Sequence, residues 1–145
     1  MNTLRNDFKF LLNHLQIIDA VIRATYRLFG DSLNLISDSL RCAGMPDGDY
    51  ELGGQPIVVK SGKATLLDGT IAGSSISLLD AVRNVVRFGL PLAQAVYAAS
   101  TAPALAARLD AGVLQAGRSA DLLVLDENLE LKAVFVDGME QKSRP

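Results

Sequence analysis

Asp38 is the residue of this chain best placed to do chemistry. It follows Leu33 to Ser37, an apolar run of the length of a short buried strand, and precedes a glycine-containing loop. In α/β architectures that rim, at the carboxyl ends of the strands, is where sites are built. A partly desolvated carboxylate there serves as a general base or as a metal ligand. An aspartate in that place also caps nearby backbone amides, and spacing alone leaves both roles open. The second candidate is Thr70-Ile71-Ala72-Gly73-Ser74-Ser75. The small side chains of Ala72 and Gly73 would let a ligand approach backbone amides. A helix opening near Ser77 would turn its positive end toward an anion or a hydroxyl-rich ligand. An ordinary loop followed by a helix cap accounts for the same residues, and no phosphate-binding P-loop pattern is present.

Other reactive residue types are few. His14 lies among apolar residues and reads as a core-edge or surface histidine. Cys42 borders a loop with no activating base nearby in sequence. Asp47, Asp49 and Glu51 read as a solvated turn without the ligand spacing of a calcium loop. The 145 residues include one histidine and one cysteine. The chain alone therefore cannot build a zinc site from four cysteines, from paired cysteines and histidines, from three histidines, or from two histidines and a carboxylate. No residue is assigned as a metal ligand. A single cysteine also excludes an internal disulfide and suits a reducing compartment. The composition is 49% hydrophobic and 21% charged with a net charge of −2. That supports a packed core and gives no basic footprint for nucleic acid or a membrane surface. No stretch reaches the ~18 uninterrupted apolar residues of a membrane helix, and no signal peptide is recognised. A cytoplasmic protein without membrane or nucleic-acid partners is expected.

The elements that must position these residues alternate between α and β. Phe8 to Ile18 is an apolar-rich run, a buried strand or the start of a helix. Asp19 opens a helix in which Val21, Ile22, Thr25, Leu28 and Phe29 recur at helical spacing, and Gly30 stops it. Leu33 to Ser37 is a short strand. Cys42 to Gly54 is rich in turn residues. Pro56 to Lys60 and Lys63 to Leu67 form a hairpin through Ser61-Gly62. Ser77 starts a second helix with Asp80 as its capping-box partner, Leu92 to Ala99 a third, and Ser100 or Thr101 caps a fourth. Asp121 to Leu125 and Leu131 to Val136 close the chain as strands, and residues 139–145 are expected to be frayed.

Several motifs resemble a known family. Leu35-Ile36-Ser37-Asp38-Ser39, Ala43-Gly44-Met45-Pro46-Asp47-Gly48, Tyr50-Glu51-Leu52-Gly53-Gly54, Asp68-Gly69-Thr70-Ile71-Ala72-Gly73-Ser74 and Ala81-Val82-Arg83-Asn84 look like N-acetylglucosamine-6-phosphate deacetylases. Gly112-Val113-Leu114, Ala116-Gly117-Arg118 and Ala120 to Asp126 are similar to the closing signature of the wider amidohydrolase superfamily. The resemblance implies the α/β fold class, as the C-terminal part of a TIM-like (β/α) barrel plus strands of a small β-sandwich. The expected partition is 1–49 for the last βα units, 50–69 for a hairpin region, 70–110 for a loop and helical cluster, and 111–138 for strands of the small domain. It further implies hydrolysis of N-acetylglucosamine 6-phosphate to glucosamine 6-phosphate and acetate, with a divalent, zinc-like metal activating water. Asp38 matches the family's catalytic aspartate, and Ile71, Ala72 and Gly73 match its sugar-contacting segment. Gln16 falls where the family has a substrate-contacting histidine, with Asn13 and His14 where Asp and Gly are expected; a shifted register would bring in His14 instead. The family's metal ligands, a glutamate and two histidines, have no counterpart here, so no metal is expected on this chain alone. Three readings follow: an incomplete deacetylase with an amino-sugar phosphate as its small-molecule partner, a non-catalytic module that binds sugar phosphate or pairs with a full-length subunit, and a piece of another amidohydrolase. A homo-oligomer, or pairing with a missing N-terminal half, is expected.

Overall fold

The computed structural model describes residues 9–11 and 19–142. Strand β1 (Lys9–Leu11) lies parallel to β2 (Asn34–Ile36), with helix α1 (Asp19–Phe29) and a 3-10 turn (Gly30–Ser32) between them. Parallel neighbours need such a crossover, because a tight turn joins only antiparallel strands. Helices α2 (Leu78–Arg87), α3 (Leu92–Ala99) and α4 (Thr101–Ala106) complete this part. Its core joins Ile22 of α1, Leu33 and Leu35 around β2, Ile76, then Ala81, Val82 and Val85 of α2, Leu90, and Ala95 and Ala98 of α3. Alanines at the contacts let the helices lie close. The apolar stripe expected on α1 is narrower than its spacing suggests: Ile22 and Thr25 are buried, whereas Leu28 is 78% exposed.

Leu33 and Leu35 join the helical core, so alternation turns Asn34 to the opposite side of β2. Asn34 is 4% exposed. Its Nδ2 donates to the Ser32 carbonyl at 3.2 Å, while among the described residues its Oδ1 has no partner. A buried orphan acceptor costs about 1–3 kcal/mol. Asn34→Leu, close in volume, is expected to raise the unfolding free energy by about 1 kcal/mol, after the lost Nδ2 bond is set against the gain. Urea unfolding midpoints with an unchanged m-value check this. A lower midpoint would show that Oδ1 is satisfied in solution.

The middle of the chain is one antiparallel sheet of four strands, β3 (Gly48–Leu52), β4 (Gln55–Lys60), β5 (Lys63–Leu66) and β6 (Ile71–Ser74), in that order. Two of these differ from expectation. Gly48 to Leu52, read as turn, pairs with β4 from Gly48↔Val59 to Leu52↔Gln55. Ile71 to Ser74, read as loop, pairs with β5 across a register shift at Ala64/Thr65. The sheet thus runs through the boundaries expected at 49/50 and 69/70. The expected hairpin at Ser61-Gly62 is present. Ile57, Val59 and Ala64 bury their side chains against Cys42, with Leu40, Tyr50, Leu66 and Ala72 at the margin.

The last sheet is β7 (Leu122–Leu125), β8 (Leu131–Val136) and β9 (Met139–Gln141), antiparallel throughout. β9 lies in the tail expected to be frayed. None of the residues of this sheet is fully buried. Leu123, Val124, Leu131 and Val136 are all exposed. Arg83 of α2 grips the turn between β7 and β8. Its Nε and Nη2 donate to the Leu129 carbonyl at 3.0 and 2.8 Å, Nη2 also reaches Glu130, and Nη1 donates to Asp80. Two donors of the guanidinium fork converge on one carbonyl, a grip the point charge of a lysine would not reproduce. No described helix is long and apolar enough to cross a membrane.

Candidate functional site

Asp38 stands two residues past the carboxyl end of β2, exposed, with a left-handed backbone at φ +52°. Outside glycine that region is adopted most readily by Asn and Asp. Hydrogen bonds hold the chain from its carbonyl onward. Its carbonyl accepts the Ser74 amide at 3.0 Å, and the Leu40 amide donates to the Ser74 carbonyl at 2.8 Å. Between them the Ser39 hydroxyl donates to the Ile76 carbonyl at 2.7 Å. Ser39 and Ser74 form a parallel bridge. The two candidate segments, far apart in sequence, therefore meet: the end of β2 carrying Asp38 lies against the end of β6.

Within β6, Ile71 is 40% exposed, Ala72 half-buried and Gly73 buried. Gly73 has φ +138°. A Cβ built on it would come within 2.8 Å of Leu40 Cδ2. The bare side of this glycine is filled by Leu40 and is not open to a ligand, which revises the reading from small side chains alone. The capping box expected at the start of α2 is present. The Ser77 amide donates to the Asp80 carboxylate at 3.0 Å, and the Asp80 amide donates to the Ser77 hydroxyl at 3.1 Å. This capping box uses amides that would otherwise greet an anion. Burial pushes the Asp80 carboxyl up, but hydrogen bonds from Ser77 and the Arg83 guanidinium outweigh it and hold the group below the usual carboxylate range. Gln16, Asn13 and His14 lie outside the described residues.

The other candidates have structural duties. Cys42 is a free thiol, 3% exposed, inside the core of the four-stranded sheet. A cleft of about 180 Å³ opens beside it, lined by Leu40, Arg41, Met45, Tyr50, Glu51, Leu52 and Ile57 as well. Neither Asp38 nor Gly73 borders that cleft. Asp47 accepts the Ser61 amide at 2.8 Å, and Glu51 accepts the Gly54 amide at 3.1 Å. The Tyr50 hydroxyl donates to the Pro46 carbonyl at 2.6 Å. These bonds explain most of the Ala43 to Gly54 motif as a turn fastened to its own hairpins. Among the described residues no three His, Cys, Asp or Glu side chains gather where a metal ion could sit. That donor set does not fit the divalent metal implied by the resemblance. Sequence reasoning missed Ser39 and Leu40 as partners of the site. Neither belongs to a periodic pattern, and only their adjacency to Asp38 could have pointed to them.

Comparison with known proteins agrees with the sequence motifs. Residues 57–140 match the model of the amidohydrolase family. The chain is 34% identical over 122 residues to the N-acetylglucosamine-6-phosphate deacetylase of Vibrio furnissii, covering 82% of this chain and 31% of that one. It is 36% identical over 107 residues to the N-acetylgalactosamine-6-phosphate deacetylase of Escherichia coli O157:H7, covering 72% and 28%. The solved structure of a mutant N-acetyl-D-glucosamine-6-phosphate deacetylase from Mycobacterium smegmatis, in complex with N-acetyl-D-glucosamine-6-phosphate, matches at TM-score 0.84 and 35% identity, over 91% of this chain and 36% of that one. The chain spans about a third of the length of these relatives. With a family match that runs from β4 into β9, this chain belongs to the amidohydrolase family, in which it resembles amino-sugar-phosphate deacetylases over part of their length.

Proposed function

We propose that this chain carries the base-bearing end of a deacetylase site for an N-acetylated hexosamine 6-phosphate. The observation that supports this reading is the bonding of the Asp38 segment to Ser74, which joins the two segments singled out in the sequence. In the reaction, water adds to the carbonyl carbon of the acetamido group while Asp38 takes one of its protons. Asp38 then returns a proton to the nitrogen as the C–N bond breaks, leaving acetate and the amino-sugar phosphate. Ile71, Ala72 and Gly73 contact the sugar through the outer edge of β6 ahead of Ser74, where residues 38–40 cover that edge, since Leu40 closes the bare side of Gly73. Gln16 hydrogen-bonds the substrate, as its register implies, but cannot carry the charge of a protonated imidazole.

In this reading β1, α1 and β2 belong to a TIM-like barrel, and the β7–β9 sheet is one layer of a small β-sandwich. The 145 residues by themselves are incomplete as a catalyst, because the metal-binding side chains implied by the resemblance are not among them. The exposed leucines and valines of the last sheet favour pairing with another polypeptide, a second copy or a longer subunit.

Titration calorimetry with glucosamine 6-phosphate, together with acetate-release and zinc analysis, tests this. The expected result is saturable binding, no stoichiometric zinc and no turnover. Ile71→Asp, at an exposed position, is expected to weaken binding about tenfold or more without loss of fold. An unchanged affinity would overturn the site, and turnover with one tightly bound zinc per chain would overturn its incompleteness.

A further inference from the structure

We infer that Ser39 is a positioning residue for Asp38, its hydroxyl fastening the end of β2 to the turn that leads into α2. The inference rests on reading Asp38 as the base of the site. Three hydrogen bonds join residues 38–40 to residues 74–76: Ser74 amide to Asp38 carbonyl, Leu40 amide to Ser74 carbonyl, and Ser39 hydroxyl to Ile76 carbonyl. The first two are made by backbone and are open to any sequence. The third depends on a side chain, and at 2.7 Å it is the shortest of the set.

Its acceptor is well chosen. The Ile76 carbonyl precedes the Ser77 cap and so lies outside the α2 hydrogen-bond ladder. Ile76 itself is anchored in the helical core, and its amide donates to the Ser74 hydroxyl at 3.1 Å. The Ser39 bond therefore ties an exposed segment to a fixed one. That matters because Asp38 holds φ +52°, a conformation from which a non-glycine residue tends to relax toward negative φ. With β2 paired on β1 as far as Ile36 and these three bonds holding the chain from the Asp38 carbonyl onward, such relaxation must break contacts at Ser74 or Ile76. A threonine keeps the donor; an alanine removes it and leaves both backbone bonds to carry the segment.

The test uses the full 145-residue chain with Ser39→Ala and Ser39→Thr. Amide hydrogen exchange is read at Ser74 and Leu40, against α3 amides as a marker of global opening, and the Asp38 HN–Hα coupling reports its φ. Affinity for glucosamine 6-phosphate is measured alongside. With alanine, exchange at Ser74 and Leu40 is expected to accelerate about tenfold, α3 to stay unchanged, and the Asp38 coupling to shift. Threonine is expected to restore all three. Unchanged exchange at Ser74 and Leu40, equal acceleration in α3, or no rescue by threonine would overturn the inference. Local acceleration with rescue upholds it. If affinity then follows exchange, the clasp shapes the binding site as well; if affinity stays constant, the clasp stands on exchange and coupling, and the reading of Asp38 as base stands or falls separately, on kcat of Asp38→Asn.

Discussion

Asp38→Asn is expected to lower kcat by about 10²–10⁴-fold, the range in which a positioned general base contributes. The measurement needs a complete site. A chimera that carries this chain in place of the matching segment of the Vibrio furnissii deacetylase provides one, since the two align over 122 residues. Asparagine is the informative replacement. It has the shape of aspartate, and it tolerates the left-handed conformation that Asp38 holds at φ +52°. The Ser74 and Leu40 bonds involve backbone atoms only and survive the change. What is lost is the ability to take a proton from water and return it to nitrogen. A KM within about threefold of the parent would show that ground-state binding is untouched. Asp38→Ala should cost more than asparagine, because it also gives up the left-handed preference. A fall of less than about tenfold with asparagine would mean that proton transfer does not pass through this carboxylate.

The sequence was legible where local chemistry decides structure. The capping box of α2 could be read from Ser77 and Asp80, because both bonds are made within one turn. The hairpin at Ser61-Gly62 was readable for the same reason: positive φ at both central residues suits a two-residue turn. Two further dipeptides, read as a turn and as a strand end, were not read as hairpins. Gly53-Gly54 and Asp137-Gly138 also have positive φ at both positions and join β3 to β4 and β8 to β9. The signal was present, but acidic residues on β3 and a polar β9 hid the strands on either side. β6 is a different case. Ile-Ala-Gly-Ser has little intrinsic strand preference, and its pairing is imposed by β5 and by the Asp38 segment, which are tertiary facts. The same holds for the site. Asp38 and Gly73 could each be picked out from residue type and resemblance, yet the meeting of their segments rests on two main-chain bonds and the Ser39 hydroxyl, across some 35 residues of sequence. Ser100 and Thr101, expected as helix caps, show how such contacts override local habit. Neither side chain caps α4; both hydroxyls donate to the Gly112 carbonyl.

That last contact leads to the largest stability effect expected in this chain. Gly112→Ala should cost about 2–5 kcal/mol, the sum of left-handed strain and overpacking. Gly112 has φ +78°, and a Cβ on it would lie 2.6 Å from the Ser100 carbonyl oxygen and 3.0 Å from Ala104 Cβ. The obstacle is backbone. The Ser100 carbonyl accepts the Ala104 amide at 3.2 Å, so it cannot swing aside without opening the first turn of α4. Any shift of residue 112 also withdraws the acceptor that Ser100 and Thr101 share. Gly117 separates the two causes. It has a similar φ of +88° but nothing within 4 Å of its missing side chain. Gly117→Ala should therefore cost only the conformational part, about 1–2 kcal/mol. Urea unfolding of the two variants gives the comparison. Equal losses would show that the chain around 112 relaxes and that the close approach carries no energy. Unequal losses, in the expected order, would mean that the first glycine of the Gly112-to-Arg118 signature is held by packing and the second by its turn alone. That part of the family's closing signature would then be a property of the fold, separate from the chemistry proposed for the end of β2.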